Sequence, residues 1–360
     1  MAWKQPELPY NQLPALPPAI KLETEKVLKV ALQANRSLAE LKGYCQTLPD
    51  PNLLLNTIIL QESKDSSAIE NIVTTQDELY RAILNPLDNS PATKEVISYR
   101  EAVYTGLKEL KTAPVFTGRL ALKIMQRVKN TTAGFRNLPG TKLANPTTQK
   151  IVYTPPDPSE IATKIKDWEK FINNNQELDA LIVMALMHYQ FEAIHPFADG
   201  NGRTGRILNV LYLVHAQLLT LPVLYHSAYI IQHKEDYYKK LRMVTEEDRW
   251  EEWILFMLEA VKETADETLQ LIKSIVKLKA ETLEKVKEIS QKLPAYELNE
   301  LIFSFPYVKI KTLIDKKIAK RQTASGYLQQ LEEQKILKSI KEGREIYYVN
   351  HRLMKLLTTK

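Results

Sequence analysis

Three of the chain's ten glycines fall within six residues, in the run His195-Pro-Phe-Ala-Asp-Gly-Asn-Gly-Arg-Thr-Gly-Arg206. A His, an Asp and two Arg frame them. Apolar segments flank the run on both sides, DALIVMALMHYQFEAI before it and RTGRILNVLYLVHAQL after it, and both read as buried helices. Gly200, Asn201 and Gly202 therefore fall at the N-terminus of the second helix, where unpaired N–H groups and the positive end of the helix dipole attract anions. Glycine lets the backbone turn sharply and lets a phosphate approach closely. Arg203 and Arg206, three apart, fall on one helix face, from which both could reach the same anion. Asp199 beside bound phosphates points to Mg²⁺, which removes the like-charge repulsion. His195, with an ordinary pKa near 6.5, is the candidate general base.

This run is similar to the defining motif of the Fic family, HPFx[D/E]GNGRxxR, at every defined position, and the resemblance extends over most of the chain. It implies a mainly helical protein that transfers AMP from ATP, with Mg²⁺, to a Ser, Thr or Tyr hydroxyl of a protein target, or of itself. In that likeness His195 takes the acceptor's proton and Asp199 holds Mg²⁺. Gly200, Asn201, Gly202 and Arg203 cradle the phosphates, Arg206 contacts the γ-phosphate and Phe197 anchors the loop. Gly202 stands where the family's kinase-like toxins carry Lys, which favours AMP transfer; transfer of UMP or phosphocholine stays open.

Two further stretches gain meaning from the resemblance. SSAIEN resembles the family's inhibitory motif [S/T]xxxE[G/N], with Ser66, Glu70 and Asn71 at the defined positions. It implies that Glu70 pairs with Arg206 in place of the γ-phosphate; a role for the same Glu in removing AMP stays open. GTKLANPTTQKIVYTPP stands where the family has a flap, and Lys150, Ile151, Val152, Tyr153 and Thr154 would add a strand to an extended target. In DYYKKL, Tyr237 and Tyr238 are expected on the nucleoside side or in the core. Thr245 stands where some relatives carry an adenine-contacting Asn. His188 reads as a core histidine and Glu192 as a brace for the loop.

The elements that must position these residues follow from periodicity. ETEKVLKVALQANRSLAELKGY predicts a helix ending near Gly43, and NLLLNTIILQESKDSSAIEN a second with a loop or a new start inside it. TTQDELYRAILNP opens on N-cap chemistry and stops at Pro86. The proline-rich start predicts an extended surface arm. After Pro294, three short helices and a hairpin turning at Glu342-Gly343 predict a winged helix. The expected division is an N-terminal helical domain over 1–105, a Fic core over 106–290 and a winged-helix domain over 291–360.

Residues 291–360 hold 14 Lys/Arg against seven Asp/Glu, while the remainder is at −1. Any DNA contact must therefore come from this tail, with Lys309, Lys311, Lys316, Lys317, Lys320 and Arg321 around the turn. A DNA-binding regulator is the rival reading, and a protein-contact role for the winged helix stays open. One cysteine, Cys45, excludes an internal disulfide. With no apolar run of signal or membrane-spanning length, the expectation is a cytoplasmic protein without membrane partners. The resemblance also implies a homodimer, without specifying its face.

Overall fold

The computed structural model describes residues 3–48, 51–84, 90–145, 148–175, 177–342 and 345–358. The chain is mainly helical. The N-terminal part holds α1 (Glu25–Gln46), α2 (Pro51–Ile69), α3 (Gln76–Leu84) and α4 (Pro91–Thr112). Thr24 and Ser90 cap α1 and α4 by accepting from Val27 N–H and Thr93 N–H. Thr75 and Glu78 form a capping box on α3: the Thr75 hydroxyl accepts from Glu78 N–H and the Glu78 carboxylate accepts from Thr75 N–H. Pro86, the expected stop, lies outside the described residues.

Two helix boundaries differ from expectation. α1 continues past Gly43 to Gln46 because Leu41 and Cys45 keep its apolar stripe buried. An exposed helical glycine costs only about 1 kcal/mol against alanine. α2 is unbroken, although its sequence QESKDSS suggested an interruption. Those polar residues form a second buried face. Gln61 Nε2 donates to Tyr225 Oη at 2.8 Å, Ser227 N–H donates to Glu62 at 2.9 Å, and Tyr225 Oη donates to Asp65.

α5 (Gly118–Lys129) leads to a small antiparallel hairpin, β1 (Leu143–Ala144) and β2 (Ile151–Tyr153). Next come α6 (Pro158–Asn174), α7 (Ala180–Ile194), α8 (Asn201–His215), α9 (Ser227–Gln232) and α10 (Lys234–Glu247). α7 and α8 are almost wholly buried, the pattern of central helices. α11 (Trp250–Ile289) runs for 40 residues, roughly 60 Å at 1.5 Å per residue, and α1 lies along it. The proline-rich arm lies over the surface as expected: Trp3 N–H donates to Thr245 O and Gln190 Nε2 to Pro14 O.

The C-terminal part contains α12 (Ala295–Ser304), β3 (Tyr307–Val308), α13 (Ile310–Asp315), α14 (Arg321–Glu333), β4 (Lys338–Glu342) and β5 (Glu345–Val349). The strands pair in the order β3-β5-β4, completing a winged helix. The turn residue Gly343 lies outside the described residues. A further helix, α15 (His351–Thr358), was not legible in the sequence; Leu353 and Leu357 are buried on its inner face. The unit docks on the N-terminal helices. Tyr307 stacks on Tyr80 at 6.0 Å and bonds Asp77, and Arg81 pairs with Glu342 at 2.8 Å. Lys309 is not part of an open basic face: it is buried, pairs with Glu345 at 3.3 Å and lies over the Tyr347 ring. Lys311, Lys316, Lys317, Lys320 and Arg321 are exposed. The boundary expected at 105 falls inside α4, whereas that at 290 falls between α11 and α12.

Candidate active site

The loop between α7 and α8 is held from within and from behind. His195 ends α7 in a left-handed conformation, φ 49°, with its N–H bonded to Phe191 O. Arg136, which the sequence did not single out, straps this turn. Its Nε donates to His195 O at 2.8 Å, its Nη2 to Ile194 O at 3.3 Å and to Pro156 O, and its backbone N–H to Pro196 O. Phe197 is fully buried and stacks on Phe135 at 5.4 Å, the anchor expected of it. Asn201 closes the loop with both ends of its amide: Nδ2 donates to Phe197 O and Oδ1 accepts from Phe197 N–H. Its side chain is therefore committed to the loop, and only its backbone N–H at the first turn of α8 can face an anion.

Gly200 caps α8 at φ 85°, a conformation L side chains rarely adopt. Arg203 and Arg206 have different partners in this structure. The two guanidinium groups face different acids. Arg203 pairs with Glu95 and, at 3.3 Å, with Asp199. Arg206, only 1% exposed, donates Nε to Ser66 Oγ at 2.8 Å, and Nη2 to Ser66 O at 2.9 Å and to Glu70 Oε1 at 2.8 Å. Packing supplies the reason: Glu95 belongs to α4, and Ser66 and Glu70 to α2 and the turn that ends it, and both helices pack on α8.

Glu70 lies where an anion at the α8 N-terminus would lie. A Cβ on Gly202 would fall 2.3 Å from Glu70 Oε1 and 3.0 Å from Arg206 Nη1, so glycine is what lets the carboxylate reach the helix end. Burial opposes ionisation of Glu70, but the charge and hydrogen bond of Arg206, with the nearby Arg203 and His195, together outweigh it and hold the carboxyl below its usual range. Asn71 follows at φ 62°, ending α2 in the left-handed turn that glycine and asparagine tolerate best. That conformation suits the Gly-or-Asn position of the pattern that SSAIEN resembles.

His195 is half-buried, and burial, aided by the Arg136 charge, pushes its imidazole down to about 4. Nδ1 faces Glu192 O at 3.4 Å. A carbonyl only accepts, so Nδ1 carries the proton and Nε2 is left basic. Burial likewise pushes the Glu192 carboxyl up to about 8.

Tyr153 Oη donates to Ala193 O at 2.7 Å, tying the flap strand to the end of α7 just before His195. Thr154 is buried rather than open: its hydroxyl donates to Pro6 O and its carbonyl accepts from Tyr10 N–H. Ile151 and Val152 are half-buried and Lys150 is exposed. Tyr237 belongs to the core, buried and bonded to His188 Nε2 at 2.8 Å, which also makes His188 the core histidine expected. Tyr238 is 40% exposed and packs edge-on against Tyr237. Thr245 is buried and bonded to Tyr189 Oη.

A helical core carrying this loop at a helix junction is the architecture of a Fic domain. Three family profiles match the chain in order: Fic/DOC family N-terminal over residues 28–108, Fic/DOC family over 116–213, and protein adenylyltransferase SoFic-like, C-terminal domain, over 278–353. The chain belongs to the Fic/DOC family. A probable protein adenylyltransferase of Aquifex aeolicus is 26% identical over 186 residues, covering 50% of this chain and 56% of that protein. The protein adenylyltransferase Fic of Drosophila grimshawi is 32% identical over 116 residues, 32% of this chain and 23% of that one. The chain thus spans about half the length of the first relative and under a quarter of the second. Among solved structures, a Fic family protein from Desulfovibrio desulfuricans covers 91% of this chain and 96% of its own at a TM-score of 0.57 and 19% identity. Fic-1 from C. elegans covers 69% and 74% at 0.54 and 18%. These two share the fold.

Proposed function

We propose that this chain is a protein adenylyltransferase that moves AMP from ATP to a protein hydroxyl and is held inactive by Glu70. The observation that carries the reading is the Glu70 carboxylate bonded to Arg206 and resting on Gly202, at the helix end a phosphate would use. With Glu70 withdrawn, the N–H groups of Gly200, Asn201 and Gly202 and the freed Arg206 accept the triphosphate. His195 Nε2 takes the acceptor's proton as its oxygen bonds the α-phosphorus, and the bond to pyrophosphate breaks. Positioning and charge neutralisation supply most of such a rate. The flap edge at Ile151–Tyr153 aligns the target backbone beside His195.

Asp199 fits Mg²⁺. Its carboxylate is 63% exposed and adjoins the helix end, and among the described residues no group of three potential ligands forms a closed metal cage. A single carboxylate suits an ion that completes its shell with water and phosphates and neutralises the charge developing on them. No helix among the described residues is long and apolar enough to cross a membrane. We place the reaction in the cytoplasm, where ATP is the donor and a free thiol such as Cys45 persists. The winged helix is a contact module in this reading; a salt-dependent mobility shift with duplex DNA tests its exposed cations, and no shift at low salt leaves protein contact.

α-labelled and γ-labelled ATP given separately to Glu70→Gly protein test the reaction class. Label retained only from the α position supports AMP transfer; label retained from γ overturns it. Loss of AMP from a labelled product, dependent on Glu70, would show the removal activity instead.

A further inference from the structure

Four charged side chains close a ring beside the α8 N-terminus. Lys129 Nζ lies 2.6 Å from Glu95 Oε1 and 2.7 Å from Asp199 Oδ2. Arg203 bonds the same Glu95 oxygen and reaches Asp199 Oδ1 at 3.3 Å, and Gly200 N–H also donates to Asp199 Oδ1. Three separate parts of the chain meet here: Glu95 comes from the start of α4, Lys129 is the last residue of α5, and Asp199 and Arg203 come from the glycine loop and α8.

The lysine is seated in place. Its stem crosses Gly200, where a Cβ would stand 3.2 Å from Lys129 Cγ and 3.5 Å from Cδ. Arg203 is 2% exposed, Glu95 22% and Lys129 25%, whereas Asp199 is 63% exposed. The ring is therefore closed on three corners and open at the carboxylate assigned to Mg²⁺. A bare carboxylate at a phosphate cradle repels the phosphates, and a cation beside it removes that repulsion.

We propose that Lys129 is an internal counter-ion for Asp199: it neutralises the carboxylate before the metal arrives, and Glu95 retains the ammonium when Asp199 turns to the metal. Lys129 is then a positioning residue, one that lets nucleotide enter with or without metal and sets how far affinity depends on Mg²⁺. This rests on the reading of the glycine loop as the ATP site. The two arms of Lys129 are what the role requires, since a lysine bonded to Asp199 alone would be left unpaired and part-buried on metal binding.

The test is calorimetric binding of a non-hydrolysable ATP analogue to Glu70→Gly protein, with and without Lys129→Met, in EDTA and again in saturating Mg²⁺. Lys129→Arg, which keeps the charge, controls for packing. Losing the internal cation should weaken metal-free binding about five- to tenfold and change binding in Mg²⁺ less than about twofold, so metal dependence grows. Lys129→Arg should stay near the parent. Equal weakening in both conditions would make Lys129 an ordinary phosphate ligand and overturn the proposal, as would no change in either. If the Glu70→Gly parent binds no nucleotide even with Mg²⁺, it is the ATP-site reading that fails.

Discussion

Glu70 Oε1 sits 2.8 Å from Arg206 Nη2 and over the α-carbon of Gly202, so one carboxylate occupies both the arginine and the helix end expected to receive phosphate. The pair is buried on the Arg206 side and charge-assisted. Breaking it by removing one partner is costly for the charge left behind. In the proposed function, the freed Arg206 takes the triphosphate as its partner.

Asn71 makes the proposed brake sensitive to backbone geometry. It sits at φ 62° immediately after Glu70, and its N–H bonds Ala68 O. Asn71→Val puts a β-branched residue in the left-handed region, at a cost of roughly 1–2 kcal/mol. It should lower stability by that amount in urea denaturation and raise basal labelling, because the Glu70 turn is displaced. Asn71→Gly should do neither. Equal labelling from the Val and Gly variants would detach this turn from inhibition.

Arg136 holds the turn that carries His195, the proposed base. Arg136→Met removes the donors to Ile194 O, His195 O and Pro156 O. In a Glu70→Gly background it should lower kcat about 100-fold while nucleotide affinity changes less than about threefold, since misplacing a reacting group by an ångström costs that much. An unchanged kcat in a folded variant would show that the glycine loop holds His195 unaided.

The pH dependence follows from His195. Its folded pKa of about 4 lies below the ordinary 6.5 of an unfolded chain. The unfolded state thus binds more protons between those values, and the His195 contribution to stability is lost as pH falls through that window. Activity has the same sign: the neutral base persists until the folded pKa is reached. The single-turnover rate of Glu70→Gly protein should stay level from pH 7 to about 5 and fall near 4. A midpoint near 6.5 would mean that His195 is solvated like a surface histidine.

The flap is tied to the catalytic turn by one bond, Tyr153 Oη to Ala193 O at 2.7 Å. Tyr153→Phe should weaken transfer to a protein target by roughly fivefold to tenfold, the value of one lost hydrogen bond, and leave ATP binding unchanged. Equal weakening of both would place Tyr153 at the nucleotide instead.

Much of this was legible in the sequence because local rules and the long motif agreed. Gly200 and Gly202 had to be glycine for conformation and approach, which follows from the run itself, and the burial of Phe197 follows from the likeness to the family motif. The N-cap chemistry opening TTQDELYRAILNP was a local signal of the same kind, and it forms the Thr75–Glu78 capping box. What escaped was tertiary. Glu95, Lys129 and Arg136 are ordinary charged residues in helices or loops, and only packing brings them to the glycine loop. Arg203 and Arg206 share a helix face by spacing, but the acids around them come from α4 and α2, which spacing does not reveal. α2 looked interrupted because its second face is polar and buried, and Lys309 looked available because its partner Glu345 lies on the next hairpin.

The most direct test records the intact mass of Glu70→Gly protein after incubation with ATP and Mg²⁺, beside the parent chain and a Glu70→Gly/His195→Ala control, with target-containing lysate present in a parallel arm. The account predicts addition of AMP to the protein or to a lysate target for Glu70→Gly, at least about tenfold above the parent and absent from the control. No AMP on any protein in either arm, or equal transfer by the parent chain, would contradict it.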